Sequence, residues 1–181
     1  MIKNRSLKDD NIKHKEFMQI LFENCDFSEA DLRNSKFVDC KLKGCNFSLA
    51  KLDGCRFQGV EFEGCKLVGT DFTQSDKMFL SLKFRKCLLD TSNFSELDLK
   101  NTSFEECVIR NVYFTHANLT GANFSKSELP GTLFHSTNLS KANFQEATLY
   151  SINPLTNKLS KAKFSMPEAL SLLNHLDILI N

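Results

Sequence analysis

Apolar residues recur along this chain every five positions. From Phe22 the step runs through Phe27, Leu32, Phe37, Leu42, Phe47, Leu52, Phe57, Phe62, Leu67 and Phe72, with no polar residue among them. The phase then slips by two. From Phe79 the same step gives Phe84, Leu89, Phe94, Leu99, Phe104, Ile109, Phe114, Leu119, Phe124, Leu129, Phe134, Leu139, Phe144 and Leu149. Ile2, Leu7, Ile12 and Phe17 extend the first phase backward, and Leu159 and Phe164 extend the second forward. All seventeen Phe stand on this central position. The residue two before the centre is small in 22 of the 24 repeats centred from Phe27 to Phe72 and from Phe84 to Leu149, with Leu82 and Leu97 as the exceptions. Every glycine stands two after a centre, where a chain turning a corner can use its conformational freedom.

A period of five fits neither regular element. Five α-helical residues turn about 500°, which smears the centres around the cylinder. In a flat strand an odd step alternates faces, so half of the Phe and Leu would meet water. If five residues instead span one side of a square, every centre points inward with the small residue before it. Four sides close a coil of twenty residues, and coils stack at about 4.8 Å. Like then stacks on like: Phe84, Phe104, Phe124, Phe144 and Phe164 are spaced by twenty, and so are Leu99, Leu119, Leu139 and Leu159. Two opposite faces carry Phe and the other two carry aliphatic centres. The expectation is an all-β solenoid over residues 1–164, its first 21 residues forming a cap.

The remaining segment, 165–181, predicts a short C-terminal α-helix. Ser165 is its N-cap, Pro167 lies in the first turn and Glu168 three residues on. Met166, Ala169, Leu170, Leu173, Leu176 and Ile180 share one stripe, broadened by Leu172 and Leu179. Such a stripe can cover the open bore and pair with its copy, with Met166, Leu170, Leu173, Leu176 and Ile180 as the dimer interface. The two-residue slip at 73–78 predicts a bulge, either a tolerated insertion or a protrusion that a partner touches.

Composition narrows the chemistry. Among 181 residues, 23 bases balance 22 acids for a net charge of +1, which lacks the basic excess of a protein that binds nucleic acid directly. No apolar stretch approaches a membrane span, and no signal-peptide core follows Met1, so a cytoplasmic protein without a membrane partner is expected. Cys25, Cys40, Cys45, Cys55, Cys65, Cys87 and Cys107 all occupy the small inward position, where a thiol acts as a small hydrophobe rather than a metal ligand or a disulfide partner. His14, His116, His135 and His175 fall off the centres. His116 and His135, nineteen apart, come near each other on adjacent coils without the further ligands a metal site needs. No nucleophile elbow or phosphate loop occurs. The reading is a non-enzyme with no cofactor, no metal, no catalytic residue and no small-molecule substrate.

The triplets Ala30-Asp31-Leu32, Ala117-Asn118-Leu119, Ala122-Asn123-Phe124 and Ala142-Asn143-Phe144 resemble the opening of the five-residue motif of pentapeptide repeat proteins. That resemblance implies a right-handed quadrilateral β-helix. Cys25 to Leu32, Gly44 to Ser48 and the tail from Ala169 to Ile178 are further similar to the Qnr and MfpA group. The resemblance implies a homodimer joined through C-terminal helices, binding to DNA gyrase or topoisomerase IV, reduced quinolone poisoning, and a rod that mimics duplex DNA. Two departures stand out. The long loops of Gram-negative members are missing here, and residues 22–149 hold 17 acids against 15 bases, a weak acidic excess for a DNA mimic. Candidate partner contacts are Asp26, Asp31, Glu61, Asp71 and Asp98, each just before a centre, together with Asp76 and Lys77 in the bulge. The alternative function is a structural or adaptor β-helix that holds some other protein.

Overall fold

The computed structural model describes residues 1–176 and 178. The chain winds into four-sided coils whose centres fall inward in four columns. On the first face Ile2, Phe22, Leu42, Phe62, Phe84, Phe104, Phe124, Phe144 and Phe164 follow one another in parallel register, eight turns from first to last. The best-formed strands of this face are Ile2–Lys3, Leu21–Glu23, Lys41–Lys43, Val60–Glu63, Leu82–Arg85 and Ser103–Glu105. Lys66–Val68, Leu88–Asp90 and Val108–Arg110 pair on the second face, and Glu16–Met18, Lys36–Val38 and Arg56–Gln58 on the fourth. Isolated parallel bridges such as Asp31 to Lys51 and Tyr113 to Leu133 hold the third.

The hydrogen-bond ladder shows why five residues make one side. The N–H of a centre donates to the coil ahead, as Phe27 does to the Asn46 carbonyl at 2.7 Å, and the Asn46 N–H returns to the Cys25 carbonyl at 3.0 Å. At the corner Glu29 donates to Ser48 at 2.8 Å, while Ala30 reaches back to Phe27 at 3.1 Å and closes the turn. The corner residue takes a left-handed φ whatever its side chain, 56° at Glu29 and 61° at Lys141. Glycine therefore serves space as well as torsion. At Gly121 the Oδ1 of Asn101, from the coil before, lies only 2.5 Å from where a Cβ would stand.

Ring stacking fills the bore. Phe84, Phe104 and Phe124 are 5.1 and 5.0 Å apart with planes within 11°. Phe72, Phe94 and Phe114 stack in the opposite column and meet the first edge-on, as Phe94 meets Phe104 at 5.8 Å and 87°. These offset-stacked and T-shaped distances are the favourable ones for aromatic pairs. The expected alternation of Phe and aliphatic faces holds beyond the slip. Before it the Phe stacks stand on the second and fourth faces, Phe27 on Phe47 and Phe17 through Phe37 to Phe57, while the third carries Ile12, Leu32 and Leu52.

The small inward position has a polar duty that its Ala, Ser, Thr and Cys mixture conceals. At several coils its own N–H finds the side chain one coil on, while at others, as at Ala30, Cys55 and Ala122, it closes the turn on the preceding centre's carbonyl. Cys25 donates to the Cys45 sulfur and Cys45 to the Cys65 sulfur, both at 3.4 Å, and Cys107 donates to the Ser127 hydroxyl at 2.9 Å. The same side chains donate in turn to carbonyls of the coil before, Cys65 to Leu42 at 3.2 Å and Thr132 to Ile109. Cys25, Cys45, Cys65, Cys87 and Cys107 thus form one continuous buried column on the second face. All seven thiols are free and buried, and burial pushes those of Cys40 and Cys55 up.

Four expectations are corrected. Phe79 is not an inward centre. The bulge turns it out to 41% exposure, and Leu80, Leu82 and Leu97 join the core of this region instead. Leu149 likewise turns outward, with φ 59°, and Tyr150 and Ile152 are buried in the last coil. The first 21 residues are no separate cap but the first coil itself, with Leu7 and Ile12 already in the core. Ser165 is not a helix N-cap, because coil stacking continues past Phe164 and its hydroxyl accepts the Glu146 N–H at 3.1 Å. The helix starts later and is shorter, Glu168–His175, wound with i to i+3 bonds such as Leu170 to Pro167 at 3.0 Å. Leu172 packs on the core, while Met166 and Leu170 stay exposed.

Two outcomes follow for denaturation. Phe104→Ala should cost about 3–5 kcal/mol by urea titration, because a fully buried ring leaves a cavity between stacked neighbours, whereas Phe79→Ala should cost no more than about 1 kcal/mol. The seven thiols should resist Ellman's reagent in the native protein and react together on unfolding; rapid native labelling of one would contradict the column.

Candidate interaction surfaces

With the bore filled, chemistry is confined to the walls, the bulge and the ends. The bulge occupies the fourth face. Residue 76 still lies over residue 56, since the Asp76 N–H donates to the Cys55 carbonyl at 2.9 Å, but Val60 already pairs with Leu82. Five residues, 77–81, thus stand over three, 57–59. Lys77–Phe79 forms one tight helical turn capped by the Asp76 carboxylate, which accepts the Met78 N–H at 3.0 Å. Arg56 locks the turn to the wall. Its guanidinium holds Asp76 through Nε and Nη2 at 2.9 and 2.8 Å and lies 4.3 Å over the Phe79 ring. That pairing holds the Asp76 carboxyl below the usual range. The result is a braced knob with Met78 80% exposed at its tip.

The acids expected to imitate phosphates lie on different faces, and most are neutralised. Asp31, on the third face, accepts Arg33 through Nε at 2.9 Å and Nη2 at 2.7 Å and Lys13 at 2.8 Å, so these cations hold its carboxyl well below the carboxylate range. Glu61, on the first face, lies between Lys83 at 3.2 Å and Lys41 at 3.5 Å, and both lower its pKa. Asp98 pairs with Lys100 at 3.2 Å on the fourth face. Asp26 and Asp71 serve their own turns, accepting the N–H of Ser28 and of Thr73 at 2.9 Å each. On the first face the outward row Lys3, Glu23, Lys43, Glu63, Arg85 alternates in sign. The structure does not gather these carboxylates into one acidic wall, and Lys77 stands exposed at the bulge without joining them. The residues that sequence reasoning missed are Arg56 and the outward Phe79. Their only signal is the separation of Phe57 from Phe79 by 22 positions, which puts Phe79 over a column it fails to enter.

At the far end, with Pro154 standing where the third-face Phe column would continue, a cleft of about 510 Å³ lies over Phe134. His135, Ser151, Thr156 and His175 line it, with Ser151 Oγ 3.2 Å from His175 Nε2. His116 and His135 do come together, their ring centroids 6.2 Å apart. Among the described residues no three His, Cys, Asp or Glu side chains are grouped to hold a metal, and no helix is long and apolar enough to cross a membrane. Of the expected dimer interface, Met166 and Leu170 are exposed and Leu173 and Leu176 half-buried, while Ile180 lies outside the described residues.

Comparison with known proteins agrees with this geometry. No curated protein matches the sequence. Among solved structures, two trypsin-treated forms of QnrB1, described as a plasmid-mediated fluoroquinolone resistance protein, are similar over nearly the whole length. One is 21% identical, covering 99% of this chain and 97% of that one with a TM-score of 0.69; the other is 19% identical, covering 99% and 98% with a TM-score of 0.65. At such identities the likeness shows the fold. The family model of the pentapeptide repeat region matches residues 15–78 and 77–154, so most of the chain is covered by the repeat seen in the coils, and the chain belongs to the pentapeptide repeat family.

Proposed function

We propose that this rod is a non-catalytic binding protein of type II topoisomerase, DNA gyrase or topoisomerase IV, and that it modulates sensitivity to quinolones as a homodimer. The observation that carries the reading is the end-to-end correspondence with QnrB1, which spans solenoid and tail alike over 99% and 97% of the two chains. A filled bore also favours binding over catalysis, since the walls offer flat, stiff surface and little enclosure.

The charge distribution changes how such binding works. A duplex mimic needs unpaired negative charge, and this rod spends most of its candidate carboxylates on its own cations. Recognition therefore rests on shape and on the braced knob, where Met78 and Phe79 supply apolar contact and Asp76 and Lys77 a charged rim. Apolar side chains ringed by polar groups are the usual anchors of a protein interface. Met166, Leu170, Leu173 and Leu176 offer a second apolar surface at the tail, suited to a copy of itself.

The purified chain should relieve inhibition of cognate gyrase supercoiling by ciprofloxacin. Phe79→Glu should abolish the relief while leaving the circular dichroism of the solenoid intact; absence of relief by the unaltered protein at saturating concentration would overturn the topoisomerase reading. Light scattering after size exclusion should return about twice 20.6 kDa, and Leu170→Glu should bring this to the monomer mass. A monomeric wild-type protein would remove the dimer but leave the knob to be tested.

A further inference from the structure

Among the described residues the ion pairs of the rod stop at Arg110. All fifteen involve residues 3–110, and none of the described residues beyond takes part in one. The later coils are not uncharged: residues 111–176 carry five lysines against Glu128, Glu146 and Glu168. A net charge of +1 for the whole chain hides this separation of a laced half from an unlaced one.

Four of those lysines fall together. Lys141 and Lys161 occupy the same corner on successive coils, with φ 61° and 59°, and the Lys141 N–H donates to the Ser160 carbonyl at 2.8 Å. Lys158 stands on the fourth face over Asn138, and Lys163 on the first over Asn143. All four are exposed. From Asn118 to Ser165, the outward positions on these two faces and the corner between them hold no carboxylate. Neighbouring amides add donors rather than acceptors. The Asn118 Oδ1 is taken by the Thr120 N–H at 3.3 Å and hydroxyl at 2.8 Å, and the Asn138 Oδ1 by the Ser140 N–H at 3.1 Å, which leaves their Nδ2 groups for an outside acceptor.

A surface of fixed positive charge and spare N–H donors on a flat repeating wall suits a regular polyanion. The carboxylates of a folded protein are scattered and commonly paired, as in the first half of this rod; the phosphates of a duplex are continuous and cannot neutralise one another. Lysine binds phosphate as a point charge without bidentate geometry, and no arginine stands on this surface to read a base edge. We propose that the corner carrying Lys141 and Lys161, with Lys158 and Lys163 on its two walls, binds the phosphate backbone of double-stranded DNA without reading its sequence. This holds whether or not a topoisomerase is the protein partner, and it makes the last coils a DNA-facing end on a rod that is elsewhere self-neutralised.

Fluorescence anisotropy of a labelled duplex of about 30 base pairs, titrated with the full chain, tests it. Two unrelated duplex sequences should bind equally, and affinity should fall about 100-fold between about 50 and about 200 mM salt if four phosphates are neutralised. With Lys141→Gln and Lys161→Gln combined, the same change in salt should cost only about 10-fold. Lys51→Gln with Lys66→Gln, which removes equal charge from other faces, should leave the curve unchanged. If the first pair disturbs the solenoid's circular dichroism, Lys158→Gln with Lys163→Gln is expected to show the same reduced salt dependence. No binding at the lower salt, equal losses in the control pair, or binding to poly-glutamate in preference to the duplex would overturn the proposal.

Discussion

The structure depends on one constraint: each five-residue side must bring a large apolar centre and a small residue to the inside while its backbone pairs with the coils before and after. The stacked rings and the parallel ladder enforce each other. A slip of one residue between coils would face polar side chains with the bore, whereas a slip of a whole side would still bury a centre. The columns of matched shape, Phe over Phe from Phe84 to Phe164, remove that remaining degeneracy, because a ring stacks better on a ring than on leucine. The small position adds a polar lock. Its buried N–H needs an acceptor in a region without water, which the preceding centre's carbonyl supplies at positions such as Ala30 and the thiol or hydroxyl of the next coil at positions such as Cys25 and Cys107.

What could be read from the sequence is what recurs. Period, inward centres, the packing of cysteines and the two Phe columns are legible, since each repeat votes for the same arrangement. What could not be read is local and happens once. The phase of Phe79 fits the series, yet three positions on the coil below cannot oppose five, and the ring of Phe79 finds Arg56 outside rather than a place in the column. Leu149 fits the series too, but it takes the left-handed φ of a corner residue, and Tyr150 and Ile152 are buried after it. Ser165 has every mark of a helix cap, and the stacking ladder takes it first. The outward charges were legible as types but not as pairs, because Asp31 meets Lys13 and Glu61 meets Lys83 only through a coil spacing near twenty residues.

That pairing bears on how a rod of this family can recognise a partner. Exposed ion pairs contribute little to stability individually, but they cancel the long-range field that would draw a cationic groove toward the wall. The first half therefore presents shape and one braced apolar knob, and the later coils present a bare positive edge. The two halves share one backbone plan and, toward a partner, differ most in what the outward positions carry, so stability and recognition are written in separate residues.

The bulge on the fourth face carries a further consequence. The coil spacing is twenty before it, 22 across it, and twenty again immediately after, as the pairings Lys36 to Arg56, Glu61 to Lys83 and Lys83 to Ser103 record. Extra chain is thus absorbed within a single lap, and nothing downstream is rotated or shifted. A corner that swallows two residues this way is a natural splice point: longer segments could be grafted there, by evolution or by design, and the column would carry them as a mast carries a flag.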